Sequence, residues 1–269
     1  MAKMSLYFFV AGLFTLGAGT LFYFWHVIAQ RWNMRRHAII LLGMAMVFLT
    51  ASLTVRWVVA GHGPFSNQYE FAVSFGWGTM LAFFYLERQY KPRTTGVFIL
   101  PVALAILLYA LIFTKSAIPD LVPALQNAPL LTAHVAVAVV SYGAAAVSFG
   151  AALMYLIQKV RRVSWMPEQQ VLEDMSYRAV TISFPFMVLV LVLGALWAHS
   201  AWGRYWGWDP KETASLVMTL IYGGYLHARV VAGWRGTRSA VLLIVGFVSV
   251  LFTYFGNYFL TGLHSYGGR

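Results

Sequence analysis

The 269-residue chain contains no cysteine. That excludes disulfides, thiolate metal sites and a cysteine nucleophile. Charge is scarce as well: Asp, Glu, Lys and Arg make up 10% of the residues, against about 25% in a soluble domain. Acids are the scarcer sign, 8 against 19 Lys and Arg. There is no internal repeat and no low-complexity segment. In place of charge the chain is 60% hydrophobic, with a mean hydropathy of +0.70. The apolar residues recur in runs of about 20, the length that crosses a bilayer as a helix. These features predict an all-α, polytopic transmembrane bundle embedded in the lipid bilayer, one integral-membrane domain over 1–269 with no room for a sizeable soluble domain.

Eight spans are expected, at about 5–29, 38–60, 71–87, 95–114, 130–158, 177–198, 211–231 and 240–260. The third is short. The first starts close to Met1 and lacks a small-residue cleavage site, which predicts a retained span. Four connecting regions hold 13 of the 19 basic residues: Arg31, Arg35 and Arg36; Arg88, Lys91 and Arg93; Lys159, Arg161, Arg162 and Arg178; Arg229, Arg235 and Arg238. With eight spans all four fall on one side, which the positive-inside rule makes cytoplasmic, leaving both termini outside. The net charge of +11 is thus a topology signal, and no nucleic-acid partner is expected. The segment SWMPEQQVLEDMSYR is expected to lie as a helix along the inner surface.

One outer loop stands apart. WGRYWGWDPKETASL, residues 202–216, gathers rings and charges in a chain that is otherwise apolar. Its second half has a structural explanation: Asp209, Pro210 and Glu212 form a capping box that opens the seventh span. The first half is denser than an interfacial aromatic belt requires. Trp202, Tyr205, Trp206 and Trp208 crowd together, Trp197 lies just before them, and Gly203 and Gly207 sit between. Such a surface, in the external loop 197–212, suits a large, flat, apolar ligand. Arg204 and Lys211 are placed to meet that ligand's carboxylates.

Of the seven histidines, His134 lies near the outer end of the fifth span and His264 just past that of the eighth, level with the aromatic loop. Neutral imidazoles on two sides of a flat pocket are axial ligands of haem iron; the alternative is two interfacial side chains bonded to water or backbone. His227 comes 18 residues after Asp209, roughly 27 Å down the helix, and is either a snorkelling residue or a ligand at a separate inner site. His26 is open between the two roles, His37 is a cytoplasmic flank, and His62 and His199 lie outside, His199 beside the loop. Arg56 snorkels outward, reaches an anion or pairs with Glu70, pairing being the preferred reading. Asn257 and Tyr258 remain ambiguous.

The long tryptophan-rich stretch resembles the "WWD" signature of haem-handling membrane proteins, and its WDPKET continuation resembles the CcsA (ResC) proteins of system II cytochrome c biogenesis. RWVVAGHGPFSNQYEF, AHVAVAVVSYG, IYGGYLHAR and NYFLTGLHSYG resemble further segments of that family in the same order, so the likeness runs from about residue 56 to the end. The resemblance implies a haem-handling subunit of a holocytochrome c synthase. Haem b would be bound as substrate with bis-His ligation by His134 and His264, His227 would be an inner-site ligand, and Trp202, Arg204, Tyr205, Trp206, Trp208 and Asp209 would hold the macrocycle. It also implies a CcsB/ResB-type membrane subunit and apocytochrome c as partners, in a bacterial plasma membrane rather than a thylakoid. The second inner ligand would come from that partner, or from His26. Thioether bonds would join the CXXCH thiols of the substrate to the haem vinyls, mainly by positioning. No residue stands out as a general acid or base. Two other readings stand beside it: a membrane b-type electron carrier or CcmC-like haem-delivery protein, and a transporter of a non-haem anion through Arg56 and Arg204.

Overall fold

The computed structural model describes residues 2–90, 94–118, 125–126, 128–256, 260 and 262–264, with residues 2, 32 and 128 as backbone only. Asn257 and Tyr258 lie outside the described residues. Eight helices follow one another: α1 (Ala2–Ala29), α2 (Trp32–Ala60), α3 (Gln68–Gln89), α4 (Gly96–Phe113), α5 (Ala128–Val160), α6 (Gln169–Trp202), α7 (Pro210–Val230) and α8 (Thr237–Phe255). Among the described residues there is no strand. The protein is all-α, as its apolar runs predict. By length and apolarity α1, α2, α4, α5, α6 and α8 qualify to cross a membrane. The other two carry more polar groups: Glu70, Glu87 and Arg88 on α3, and Lys211, Glu212, His227 and Arg229 on α7.

Most helices outrun the apolar runs that announce them. α5 and α6 contain 33 and 34 residues, about 50 Å each, well beyond the ~30 Å of hydrocarbon. The expected surface helix at SWMPEQQVLEDMSYR is corrected here: from Gln169 onward that segment is the first turns of α6 itself. Leu172, Met175, Ser176 and Ala179 are buried at 3–4 residue spacing, so one stripe of the polar segment packs inward and carries the helix through.

The contacts sort the helices into two compact units, α1–α4 and α5–α8. In the first, Gly12 and Gly19 lie seven residues apart on α1 and receive Leu49 and Leu42 of α2, the close small-residue packing of membrane helices. Two buried ionic clasps complete it. Arg56 Nε donates to Glu70 Oε1 at 2.9 Å, and its terminal nitrogens donate to the Ser116 and Ala117 carbonyls at 2.8 and 3.1 Å. Glu70 Oε2 accepts from the Ser66 amide and hydroxyl, and the Arg56 guanidinium lies over the Tyr69 ring. The pairing expected of Arg56 is therefore present, and the nitrogens engaged here are not free for a passing anion. In the second clasp Glu87 accepts from Tyr23 at 2.9 Å and from Arg35 at 3.1 Å.

The second unit holds the site. α5 and α6 are antiparallel, since Ser141 meets Ser183 while Ser148 meets Ser176. Phe149 of α5 stacks on Phe247 of α8 at 4.5 Å. Gly246 of α8 makes room for the Tyr222 ring of α7.

Candidate functional site

The Asp209–Glu212 capping box forms as the sequence requires. The Asp209 side chain accepts from the Lys211 amide at 3.0 Å, and Glu212 Oε2 accepts from the Asp209 and Gly207 amides at 3.1 and 2.8 Å. Pro210 occupies the first turn, where its missing N–H costs nothing. The residue before the cap, Trp208, has φ +56°. An indole-bearing residue in left-handed backbone is strained.

Asp209 does more than cap. Its Oδ2 accepts from the Leu263 amide at 2.6 Å, and its Oδ1 lies 2.8 Å from His264 Nδ1. A carboxylate only accepts, so Nδ1 carries the proton and donates. The carboxyl is held at about 2: burial works to raise it, but the hydrogen bonds from His264 and from the Lys211 and Leu263 amides outweigh that effect. Burial pushes the His264 imidazole down, against the upward pull of the carboxylate. The pair is an ionised carboxylate and a neutral imidazole whose Nε2 keeps its lone pair. This carboxylate–histidine arrangement fixes the tautomer of a metal ligand.

His264 joins a cluster of rings. Its centroid lies 4.8 Å from Trp202, edge-on, and 5.4 Å from Trp197. Trp197 in turn lies 4.9 Å from Trp202 and 6.4 Å from His134, nearly parallel to it at 12°. The two histidines predicted to act together thus share one tryptophan, although 130 residues separate them in sequence. His134 is held against Gly194 on α6, where a Cβ would lie 3.0 Å from its Cε1. Its Nδ1 and the Trp197 indole nitrogen are both buried without a hydrogen-bond partner.

The remaining predicted residues divide. Trp206 and Trp208 pair edge-to-face at 5.7 Å, Trp208 being 70% exposed. Tyr205 packs on His199 at 4.2 Å, and Arg204 lies against Gly207. The single platform expected over 202–208 is therefore two groups: Trp202 with the histidines, and Trp206–Trp208 as an exposed pair. Asp209 faces His264 and the Lys211 and Leu263 amides. His227 is exposed on α7, roughly 27 Å of helix from Asp209, outside the His134–His264 cluster. His26 belongs to the first unit, with Nδ1 3.1 Å from the Arg31 carbonyl. Sequence reasoning gave Trp197 only as a neighbour, although the seven-residue steps from Trp197 to Val190 and Ser183 were an available signal for it; for Gly194, against which His134 rests, there was none.

The profile of the cytochrome c assembly protein family matches residues 65–264, ending on His264. The chain belongs to this family. Proteins designated cytochrome c biogenesis protein CcsA are similar over most of both chains. The one from Gloeobacter violaceus is 32% identical over 83% of this chain and 84% of its own. That from Guillardia theta is 34% identical over 83% of each, and that from Parasynechococcus marenigrum 34% over 91% and 90%. Among solved structures, cytochrome c haem lyase CcmF superposes with a TM-score of 0.74 at 18% identity, covering 94% of this chain and 46% of that one. That likeness is one of fold. The family match includes the helices that carry His134, Trp197, Asp209 and His227, together with both histidines of the ring cluster.

Proposed function

We propose that this cytochrome c assembly protein is the haem-handling subunit of a system II cytochrome c synthase, presenting haem b for covalent attachment to apocytochrome c. The observation that carries the reading is the convergence of His134 and His264 on Trp197, with Asp209 holding His264 as the Nε2-ligating tautomer. Two neutral imidazoles and buried aromatic faces suit ferrous haem, and the unmet buried indole N–H of Trp197 in the same cluster suits a site that expects a ligand. The names of the CcsA relatives point the same way.

Each chain residue has a limited task. His134 and His264 hold the iron. Asp209 keeps the second imidazole oriented and unprotonated on Nε2. Trp197 and Trp202 fill the walls and exclude water, while the exposed Trp206–Trp208 pair meets the far part of the macrocycle or the incoming polypeptide. The haem vinyls accept the two CXXCH thiols, each S–H adding across a C=C so that atoms balance without a redox partner. No side chain is needed as general acid or base; positioning is the main contribution. The site faces the outside of a bacterial plasma membrane, α3 and α7 crossing with the other six helices. His227, exposed at the opposite end of α7 from Asp209, contributes to an inner haem site completed by a CcsB/ResB-type subunit.

Co-expression with such a subunit and a CXXCH reporter, followed by haem staining of the reporter after denaturation, tests the proposal. Covalently stained reporter that disappears with His134→Ala or His264→Ala supports it. A reporter stained equally with both variants contradicts it.

A further inference from the structure

α5 and α6 meet along a seam that repeats every seven residues. His134, Ser141 and Ser148 lie on α5; Ser176, Ser183, Val190 and Trp197 lie on α6. The centre of the seam is reciprocal: Ser183 Oγ donates to the Ser141 carbonyl at 2.7 Å, and Ser141 Oγ donates to the Ser183 carbonyl at 3.2 Å. One level further on, Ser176 Oγ reaches the Ser148 carbonyl at 3.5 Å. Both members of the central pair are fully buried. Where two helices otherwise meet through smooth apolar surface, such a reciprocal interhelical pair is satisfied at one register and is lost on a shift of a single residue, the hydroxyls then falling back on carbonyls of their own helices as Ser148 does on Ala145.

That register carries His134 onto Gly194. A Cβ at 194 would stand 3.0 Å from Cε1, 3.4 Å from Nδ1 and 3.9 Å from Nε2. The Cε1–Nδ1 edge of the imidazole is thus seated on bare α6 backbone, with the Val190 backbone turned toward the ring, although Nδ1 completes no hydrogen bond. In a helix the side chain at i+4 shields the carbonyl of residue i, so a glycine at 194 leaves the Val190 carbonyl open. Nε2 is the nitrogen farther from that position. Trp197, the next buried residue on this face of α6, lies nearly parallel to the ring.

We propose that Gly194 is the seat of the His134 imidazole and that the Ser141–Ser183 pair sets the helix register that puts the ring there, so that Nδ1 faces α6 and Nε2 is presented as the iron ligand. Gly194, Ser141 and Ser183 are positioning residues: they act through His134. The proposal rests on the reading of His134 as a haem ligand, and its test separates the two.

The test reads the absorption spectrum of purified, haem-loaded protein, with and without added imidazole. His134→Ala removes one ligand and converts the six-coordinate low-spin spectrum to five-coordinate. Gly194→Val is expected to give the same spectrum with His134 still in the chain. In His134→Gly, added imidazole enters the vacated seat and restores the low-spin bands. In His134→Gly/Gly194→Val the valine fills the seat and at least tenfold more imidazole is needed. A general loss of stability does not produce that difference. Ser141→Ala/Ser183→Ala is expected to speed haem loss severalfold while Ser148→Ala changes it little. A wild-type spectrum in Gly194→Val, or equal imidazole rescue in the single and double variants, overturns the proposal. Should His134→Ala itself leave the spectrum unchanged, the ligand reading fails; imidazole-nitrogen NMR of His134 then decides the seat, its resonance moving in Gly194→Val if the seat exists and staying if it does not.

Discussion

Asp209 Oδ1 and His264 Nδ1 lie 2.8 Å apart, although 55 residues separate them in the chain. One carboxylate therefore starts α7, anchors the backbone at Leu263 and orients an imidazole. Asp209→Asn keeps an oxygen for capping but loses the charge and cannot serve every donor. It is expected to cost about 1–3 kcal/mol, the penalty of leaving buried donors unmet, and Asp209→Ala about 1 kcal/mol more through the lost cap. Thermal unfolding in detergent measures the order. The spectrum of bound haem should change in both variants, whereas a change to the cap alone, Glu212→Gln, should leave it in place.

Arg56 and Glu70 are 1% and 0% exposed at their side chains. Removing one partner strands a buried charge, so Arg56→Met or Glu70→Leu is expected to destabilise by about 3–5 kcal/mol, and the double variant Arg56→Met/Glu70→Leu by clearly less than either single change. A double-variant cycle on the unfolding midpoint checks this. Additive losses would show that the pair acts through separate partners such as the Ser116 and Ala117 carbonyls.

Trp202 and Trp206 look alike in sequence but differ in place. Trp202 touches both His264 and Trp197, whereas Trp206 touches Trp208. Trp202→Ala is expected to raise the haem dissociation rate by at least tenfold. Trp206→Ala should act mainly on transfer to apocytochrome c, leaving the dissociation rate within about threefold, a factor worth less than 1 kcal/mol. Transfer of haem to an excess of apomyoglobin gives both rates.

Trp208 sits in left-handed backbone at φ +56° with its side chain 70% exposed. Trp208→Gly relieves the strain and is expected to raise stability by about 1 kcal/mol, while Trp208→Ala keeps the strain and loses the ring. A higher unfolding temperature for glycine than for alanine, with similar loss of reporter haemylation in both, is the expected pattern.

The helices were legible in the sequence because each contains an apolar run, in six of them long and apolar enough to cross a bilayer. Their ends were not. α6 begins at Gln169, where polar side chains mask a buried stripe of Leu172, Met175, Ser176 and Ala179. The capping box at Asp209–Glu212 was legible because its partners are three residues apart and its chemistry is local. The second use of Asp209, on Leu263 and His264, depends on α7 and α8 lying side by side and leaves no local mark. The same holds for the division of the tryptophans: their density announced a ring surface, but only packing against Trp197 and the segment after α8 separates Trp202 from Trp206 and Trp208. Gly194 is one of 23 glycines, and nothing in its neighbours tells that a histidine 60 residues earlier rests on it.

The most direct measurement is the absorption spectrum of the protein purified with its CcsB/ResB-type partner from haem-replete cells, reduced and oxidised, for wild type, His134→Ala and His264→Ala. A red protein with sharp low-spin bands is expected, each single variant losing one iron ligand and the double variant losing haem from the outer site. A colourless wild-type complex, or a double variant that keeps the full wild-type complement of low-spin haem, would contradict the proposal.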